Sequence, residues 1–513
     1  MVRIERASTR VFVNTGVQYV RSILSAGILL YTSRLILAEL GVDDFGLYSL
    51  IAGLIALLSF IKDSLASTIQ RFLSFYQGKN DLNKQCDILS NSLVITLLAS
   101  IGLVLLLFLC RKFVLTEFLN IDKSRVEAAY WVYNSMLFML FFTMQSTSYF
   151  AVLIAHENIV YTSIIQMIDV ILKLFISISI AYVGFDKLVY YACLIALVPL
   201  FDFVCYYIYC KKNYTECKRA SVFKFKSYLF KELFVFTGWT VYSIGCIVGR
   251  TQGIAVLLNR FFGTALNASY GIAQQVIGQI SFLSTSLINA MQPQIVKAEG
   301  AKDRNKMFQL SEMASKFPFL LFAWITIPSL FYMDRILQVW LGEIPDYAVS
   351  FCRYSLFGAW MDQFTMGLGV ANKAIGKIKI YSIVTSTIKI LTLPFAYLCL
   401  KMGMSAVSVM VCYVFFEIVC SLSRILLLKM ESGLSVSSFI NNVFVYELIP
   451  IAVLLAMTYI CSLLIPDHFF LVTYFIVGLF FILSIYCCGL TRAEKEMTIL
   501  FMHKLKARLL QIF

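Results

Sequence analysis

Arg21, Lys173 and Lys389 each fall near the middle of an apolar stretch long enough to cross a bilayer. A cation at that depth costs at least ~2.5 kcal/mol on insertion scales. Three things offset such a cost: a water-filled cavity, a carboxylate partner or an anionic ligand. Arg250 lies in another such stretch, and the four together form a candidate basic surface for an anionic headgroup. Some have candidate partners. Asp169 precedes Lys173 by four residues, the favourable order for an intrahelical pair. Glu417 is a candidate partner for Lys389. Asp362 lies nine residues from Arg353, about 13 Å along a helix axis, which disfavours direct pairing. Asp202 has no obvious local partner. These four acids, Asp169, Asp202, Asp362 and Glu417, are the candidate ion-coupling carboxylates.

The first long apolar segment carries a polar stripe of Asn14, Gln18, Arg21, Ser25 and Thr32. Spacings of four, three, four and seven place all five on one helical face. Such a face must look at protein or water rather than lipid. It is either a cavity wall or a surface for helix–helix hydrogen bonds. The seventh segment carries Ser243 and Arg250 on one face. The eighth carries amides at Asn267, Gln274, Gln275, Gln279 and Asn289. Amides at this density either bind sugar hydroxyls or knit a bundle together.

No other chemistry is visible. There is no phosphate-binding P-loop, since Gly376-Lys377 lacks the spacing and the Ser/Thr. The three histidines, His156, His468 and His503, lie in or near expected loops and form no metal pair. The 14 cysteines include no CxxC and read as packing residues. No catalytic constellation, metal site or cofactor motif is evident, and the pattern points to transport rather than catalysis.

The elements that must position these residues are membrane helices. The chain has 513 residues and is 60% hydrophobic and only 14% charged, too apolar for a soluble fold. Its net charge of +14 is spread over short loops without a nucleic-acid-binding motif. Hydropathy predicts an all-α polytopic membrane protein with about fourteen transmembrane helices. The expected spans are 12–38, 46–69, 87–110, 127–154, 160–183, 188–210, 231–257, 264–291, 314–335, 346–371, 379–400, 405–428, 444–465 and 469–489. Prolines at 199, 318, 328 and 394 interrupt three of them. Counting residues near span ends with the loops, one side of the membrane holds 29 Lys and Arg and the other eight. That bias places both termini in the cytoplasm.

The halves repeat at an offset of 222. Gly41 falls on Gly263, and residues 58–81 match 280–303 at seven of 24 positions, among them Ser64/Ser286, Gly78/Gly300 and Asp81/Asp303. An even number of spans per repeat makes the units parallel about an axis along the membrane normal, with the expected site at their interface. The expected domains are an N-terminal lobe at 1–210, a basic cytoplasmic connector at 211–230, a C-terminal lobe at 231–428, and two extra helices with a basic tail at 429–513.

The segment Leu40-Gly41-Val42-Asp43-Asp44-Phe45-Gly46-Leu47-Tyr48 resembles the first hairpin of bacterial polysaccharide flippases. So does Phe262-Gly263 with Tyr270-Gly271. These flippases form the O-antigen and capsule branch of the MATE-like superfamily. The resemblance implies two pseudo-symmetric six-helix lobes plus two C-terminal helices, in a bacterial inner membrane. It implies translocation of undecaprenyl-diphosphate-linked oligosaccharide by alternating access. Implied partners are that lipid-linked glycan, membrane lipids, a glycan polymerase and other assembly proteins. A peptidoglycan lipid II flippase and a cation-coupled multidrug exporter are the rival readings.

Overall fold

The computed structural model describes residues 2–56, 58–118, 121, 123–221, 225–466, 469–491 and 494–496. His468, His503 and the tail beyond residue 496 lie outside the described residues. Among these, every regular element is helical. The α-helices are α1 Val2–Ala56, α2 Ser59–Gly78, α3 Leu82–Phe113, α4 Val126–Ala155, α5 Ile159–Ser179, α6 Lys187–Asn213, α7 Thr215–Arg219, α8 Ser227–Phe262 and α9 Thr264–Gly300. They continue with α10 Arg304–Leu341, α11 Ala348–Gln363, α12 Met366–Ile375, α13 Ile378–Ile390, α14 Thr392–Lys401, α15 Val407–Ser432, α16 Val436–Phe439, α17 Val445–Leu464 and α18 Phe470–Ser484.

Eleven helical segments among the described residues are long and apolar enough to cross a membrane. The chain is therefore a multi-pass membrane protein. The expected spans 46–69, 264–291 and 346–371 are not among the eleven, for physical reasons. The first is divided where α1 ends at Ala56 and α2 begins at Ser59. The second, in α9, is diluted by its amides. The third is cut between α11 and α12. Pro394 sits just after the break between α13 and α14, where it cannot donate a helical hydrogen bond. Pro199 and Pro318, by contrast, lie inside continuous helix.

The chain forms two compact units, one of Val13–Val241 and one containing everything from Tyr242 onward. In the first, α4 is the central helix, packed by α2, α3 and α6. Its polar side chains find partners there: Gln145 donates to Ser100 at 2.7 Å, and Thr96 and Ser148 lie 3.3 Å apart. The short α7 docks through Glu216, which bonds to His156, while His156 stacks on Tyr214 at 4.0 Å. In the second unit, α10 packs on α9, α11, α12 and α17. Its core gathers Phe319, Phe322, Phe351, Leu356 and Trp360. Gly367 lets α12 approach the α10 backbone. A Cβ there would lie 2.1 Å from the Ser311 carbonyl oxygen. All 14 cysteines are unbonded.

The sequence repeat reappears as repeated backbone geometry. Gly41 has φ 77° and ψ 172°, and Gly263 has φ 85° and ψ −172°. Asn80 and Lys302, also 222 apart, both take left-handed φ, at 55° and 61°. The next residues, Asp81 and Asp303, each cap the following helix by accepting from a backbone amide three residues on, Lys84 at 2.9 Å and Lys306 at 3.1 Å. Ser64 and Ser286 each bond back to the carbonyl four residues earlier.

The two hairpin glycines occupy a backbone region that is nearly closed to other residues and costs of order 1–3 kcal/mol to enter. Gly41→Ala and Gly263→Ala should each lower the thermal unfolding midpoint of the purified protein. Gly102→Ala, inside the regular helix α3 with open space around it, should leave it unchanged or raise it slightly.

Candidate functional site

In the first unit the polar stripe of α1 faces α5 and the turn before it. Asn14 donates to the Glu157 carbonyl at 3.0 Å. Gln18 is buried. Arg21 bonds through one guanidinium nitrogen to the Gln166 side chain and through another to Ser22 at 3.2 Å. Among the described residues its Nε has no hydrogen-bond partner and no carboxylate pairs with it. Ser25 is half-buried one turn further along. Arg21 also lines a cavity of about 470 Å³ with Gly16, Val20, Ser163 and Met167. The start of the stripe knits α1 to the α4–α5 turn, and Arg21 lies beside an open, mainly apolar groove.

On α5, Lys173 meets Asp169 at 2.9 Å, so its charge is locally balanced. Asp202 on α6 is near enough to feel both charges, but its Oδ1 makes no hydrogen bond.

The second unit holds the densest charge cluster among the described residues. Arg250 from α8 meets Glu417 of α15 at 2.7 Å. Glu417 also meets Lys389 of α13 at 2.8 Å. Lys389 reaches Asp362 of α11 at 3.1 Å. Asp362 in turn pairs with Arg424 of α15 at 2.8 Å. Three cations therefore share two carboxylates in one continuous chain. The side chains of Arg250, Lys389, Glu417 and Arg424 are all less than a tenth exposed. Lys373 on α12 lies close enough to feel Arg424 and Lys389 but pairs with no carboxylate. Arg353 turns elsewhere, to Asp334 at 2.6 Å.

Local folding explains how the cluster assembles. Glu417 and Arg424 are seven residues apart, so α15 presents both on one face. The α11–α12 break leaves terminal carbonyls without helical partners. Ser421 caps Met361 at 3.0 Å and Arg424 caps Asp362 at 3.1 Å. The hydroxyls of Ser421 and Thr365 lie 2.7 Å apart, closing the break. Two glycines make room. A Cβ on Gly369 would meet the Tyr381 hydroxyl at 2.8 Å, and one on Gly358 would meet the Tyr413 ring at 2.4 Å. Arg250 lies over that ring, 4.7 Å from its centre.

The remaining candidates are not drawn into the cluster. Ser243 has an unpartnered buried hydroxyl. Gln274 is half-buried and Gln275 exposed. Arg424 was missed as a site residue, since near a span end it counts as a loop charge. Its spacing from Glu417 is the signal that would have found it. Lys316, counted the same way, is buried and paired with Glu494.

Removing one partner of a buried ion pair costs roughly 3–5 kcal/mol, because the other charge is left uncompensated. Glu417→Gln should therefore destabilise the second unit strongly. Asp169→Asn leaves Lys173 at membrane depth beside an amide, so it should destabilise the first unit too, but by less than Glu417→Gln, whose carboxylate serves two buried cations. Thermal unfolding of both variants checks the contrast, and equal shifts would contradict it.

No family model matches the sequence, and no curated protein does. Solved structures match in fold. One, described as MATE in the straight conformation, has a TM-score of 0.70 at 14% identity, covering 83% of this chain and 95% of that one. A second is the outward-facing conformation of a multidrug resistance MATE family transporter of the MOP superfamily. It has a TM-score of 0.66 at 14% identity, with the same coverage. A third is a MOP superfamily transporter from Pyrococcus furiosus, described as having a binding pocket of reversed polarity that suggests a different function. It has a TM-score of 0.66 at 12% identity, covering 85% of this chain and 96% of that one. The chain thus has the fold of the MATE-like transporters of the MOP superfamily.

Proposed function

We propose that this protein is a secondary transporter that flips an undecaprenyl-diphosphate-linked oligosaccharide across a bacterial cytoplasmic membrane by alternating access. The observation that carries this reading is Arg21. It is a guanidinium within a candidate membrane span that lines an open groove and, among the described residues, bonds to uncharged groups and pairs with no carboxylate. A guanidinium in that position is suited to a diphosphate, which it can bind through paired hydrogen bonds. The surplus cation of the second unit supports the same sign preference. Lys173, Arg250 and Lys389 are each paired with acids, so their role in this reading is to set the local field rather than to grip the headgroup alone. On this reading residues 1–210 and 231–428 are the lobes, 211–230 connects them, and 429–513 adds two helices and a tail. Both termini are cytoplasmic, and a glycan polymerase would consume the product.

A multidrug exporter is the second reading, favoured by the fold match to a multidrug resistance transporter. Proteoliposomes holding only this protein, with labelled lipid-diphosphate oligosaccharide in one leaflet, separate the two. We expect translocation by the unmodified protein. Arg21→Ala should reduce it about 10- to 100-fold, the equivalent of a lost charge-assisted hydrogen bond. Arg21→Lys should retain part of it, and protein level should be unchanged. Absence of glycolipid movement alongside drug efflux would overturn the flippase reading. Rescue of a lipid II flippase-depleted strain would redirect it to peptidoglycan precursors.

A further inference from the structure

Glu447 on α17 stands apart from the charges described so far. It is 1% exposed, and neither carboxyl oxygen has a hydrogen-bond partner. It lies inside a membrane-spanning segment. It borders a cavity of about 340 Å³ whose other walls include Phe319, Trp360, Phe364 and Phe444. The few polar groups on those walls are committed. The Trp360 indole donates to the Phe319 carbonyl at 3.2 Å, and Ser421 caps the α11 end.

The ionisable groups on α10 are Arg304, Lys306, Glu312, Lys316, Tyr332, Asp334 and Arg335, of which Lys316 acts on Glu447. Those on the other segments packed against α17 are, among the described residues, Tyr474 on α18, Tyr486, Cys487 and Cys488 on the π-helical turn Ile485–Gly489, and Glu494, Lys495 and Glu496 just beyond it. Glu312 accepts from Asn442 at 3.1 Å, Tyr474 bonds to Ser329 at 2.6 Å, and Lys495 donates to the Cys487 carbonyl at 2.7 Å. Lys316 is fully buried and paired with Glu494. Its Nζ nevertheless lies 5.3 Å from the ring centre of Tyr446, the neighbour of Glu447, and Glu447 feels its charge. Lys316 thus stands among three carboxyls, Glu312, Glu447 and Glu494, and its ammonium pairs with Glu494. A buried carboxylate with no hydrogen-bond donor and no ion pair among the described residues is several kcal/mol too costly to persist inside a membrane span, and taking up a proton removes that cost.

We propose that Glu447 is a proton-binding site: its carboxyl carries a proton while Lys316 is paired with Glu494, and it releases that proton to water when the lysine turns to it. The flexible four-carbon stem of lysine permits that exchange. The O–H bond of the carboxyl breaks, its electron pair stays on oxygen, and the carboxylate takes the place of Glu494 beside the ammonium, while Glu494 stays charged on the Thr491 amide, which donates to its Oε2 at 2.7 Å. The site lies in the second unit and does not depend on the identity of the transported substrate.

Infrared difference spectra of the purified full chain, in an ester-free detergent at neutral pH, test this. The unmodified protein minus Glu447→Gln should show one protonated-carboxyl band. Absence of that band would overturn the proposal. Glu494→Gln frees Lys316 for Glu447, so the band should vanish in that background. A band that persists there would overturn the exchange. Should a variant fail to fold, the unmodified protein still decides. A hydrophobic carbodiimide, which attacks protonated buried carboxyls, should label Glu447 at neutral pH, with the adduct located by peptide mass spectrometry. An unlabelled Glu447 peptide would overturn the proposal.

Discussion

The second unit depends on the meeting of Glu417 with two cations at once. Arg250 comes from α8, Lys389 from α13 and Glu417 from α15, so one carboxylate ties three helices together. Asp362 extends the chain to α11 and to Arg424. Each charge in this set would be unsustainable alone at such burial. The helices must therefore cross where the charges meet, and the neighbouring details serve that crossing. Gly358 yields space to the ring that supports Arg250, Gly369 yields space to the Tyr381 hydroxyl, and the helix break turns a carbonyl toward the Arg424 guanidinium. Arg250 Nη1 lies 2.7 Å from Glu417 Oε1 and Lys389 Nζ 2.8 Å from Glu417 Oε2, so attraction between opposite charges holds that end together.

The first unit solves a similar problem with less charge. Its buried polar groups are mainly hydroxyls and amides, paired across α3 and α4 or bonded back to their own helices. Neutral groups of this kind are cheaper to place in an apolar surround than ions. Arg71 and Glu216 are buried exceptions, and Arg21 is a half-buried one whose difference from Lys173 on the facing helix is instructive. Both cations sit in α1 or α5 at membrane depth, yet one is balanced by a carboxylate a turn away and the other only by an amide.

What could be read from the sequence was whatever a local rule enforces. The glycine pair at 41 and 263 was legible because only glycine tolerates that backbone. Asp81 and Asp303 marked helix starts because capping needs a short acceptor there. Asp169 and Lys173 announced their pairing through helical spacing. The three weakly apolar or broken segments were harder. Residues 346–371 look like one span by composition, but the break at Phe364–Thr365 depends on Ser421 and Arg424, which arrive from a helix some 60 residues later. The partnership of Asp362 with Arg424 was hidden for the same reason. Arg424 and Lys316 were read as loop charges because closeness to a span end says nothing about burial. Glu447 drew no attention in the sequence, since an acid near the start of an apolar helix ordinarily faces headgroups.

The uneven stoichiometry of the ion cluster reaches beyond its own contacts. Three cations against two carboxylates leave one elementary charge that the cluster cannot cancel internally. In water and salt such a remainder would fade within a Debye length of about 8–10 Å. Inside a bundle at an effective dielectric of about 20, a unit charge 10 Å away still changes the energy of another by about 1.7 kcal/mol. That is more than a tenfold bias in occupancy between groups of opposite sign. The cluster therefore biases the field around it toward negative charge without contact.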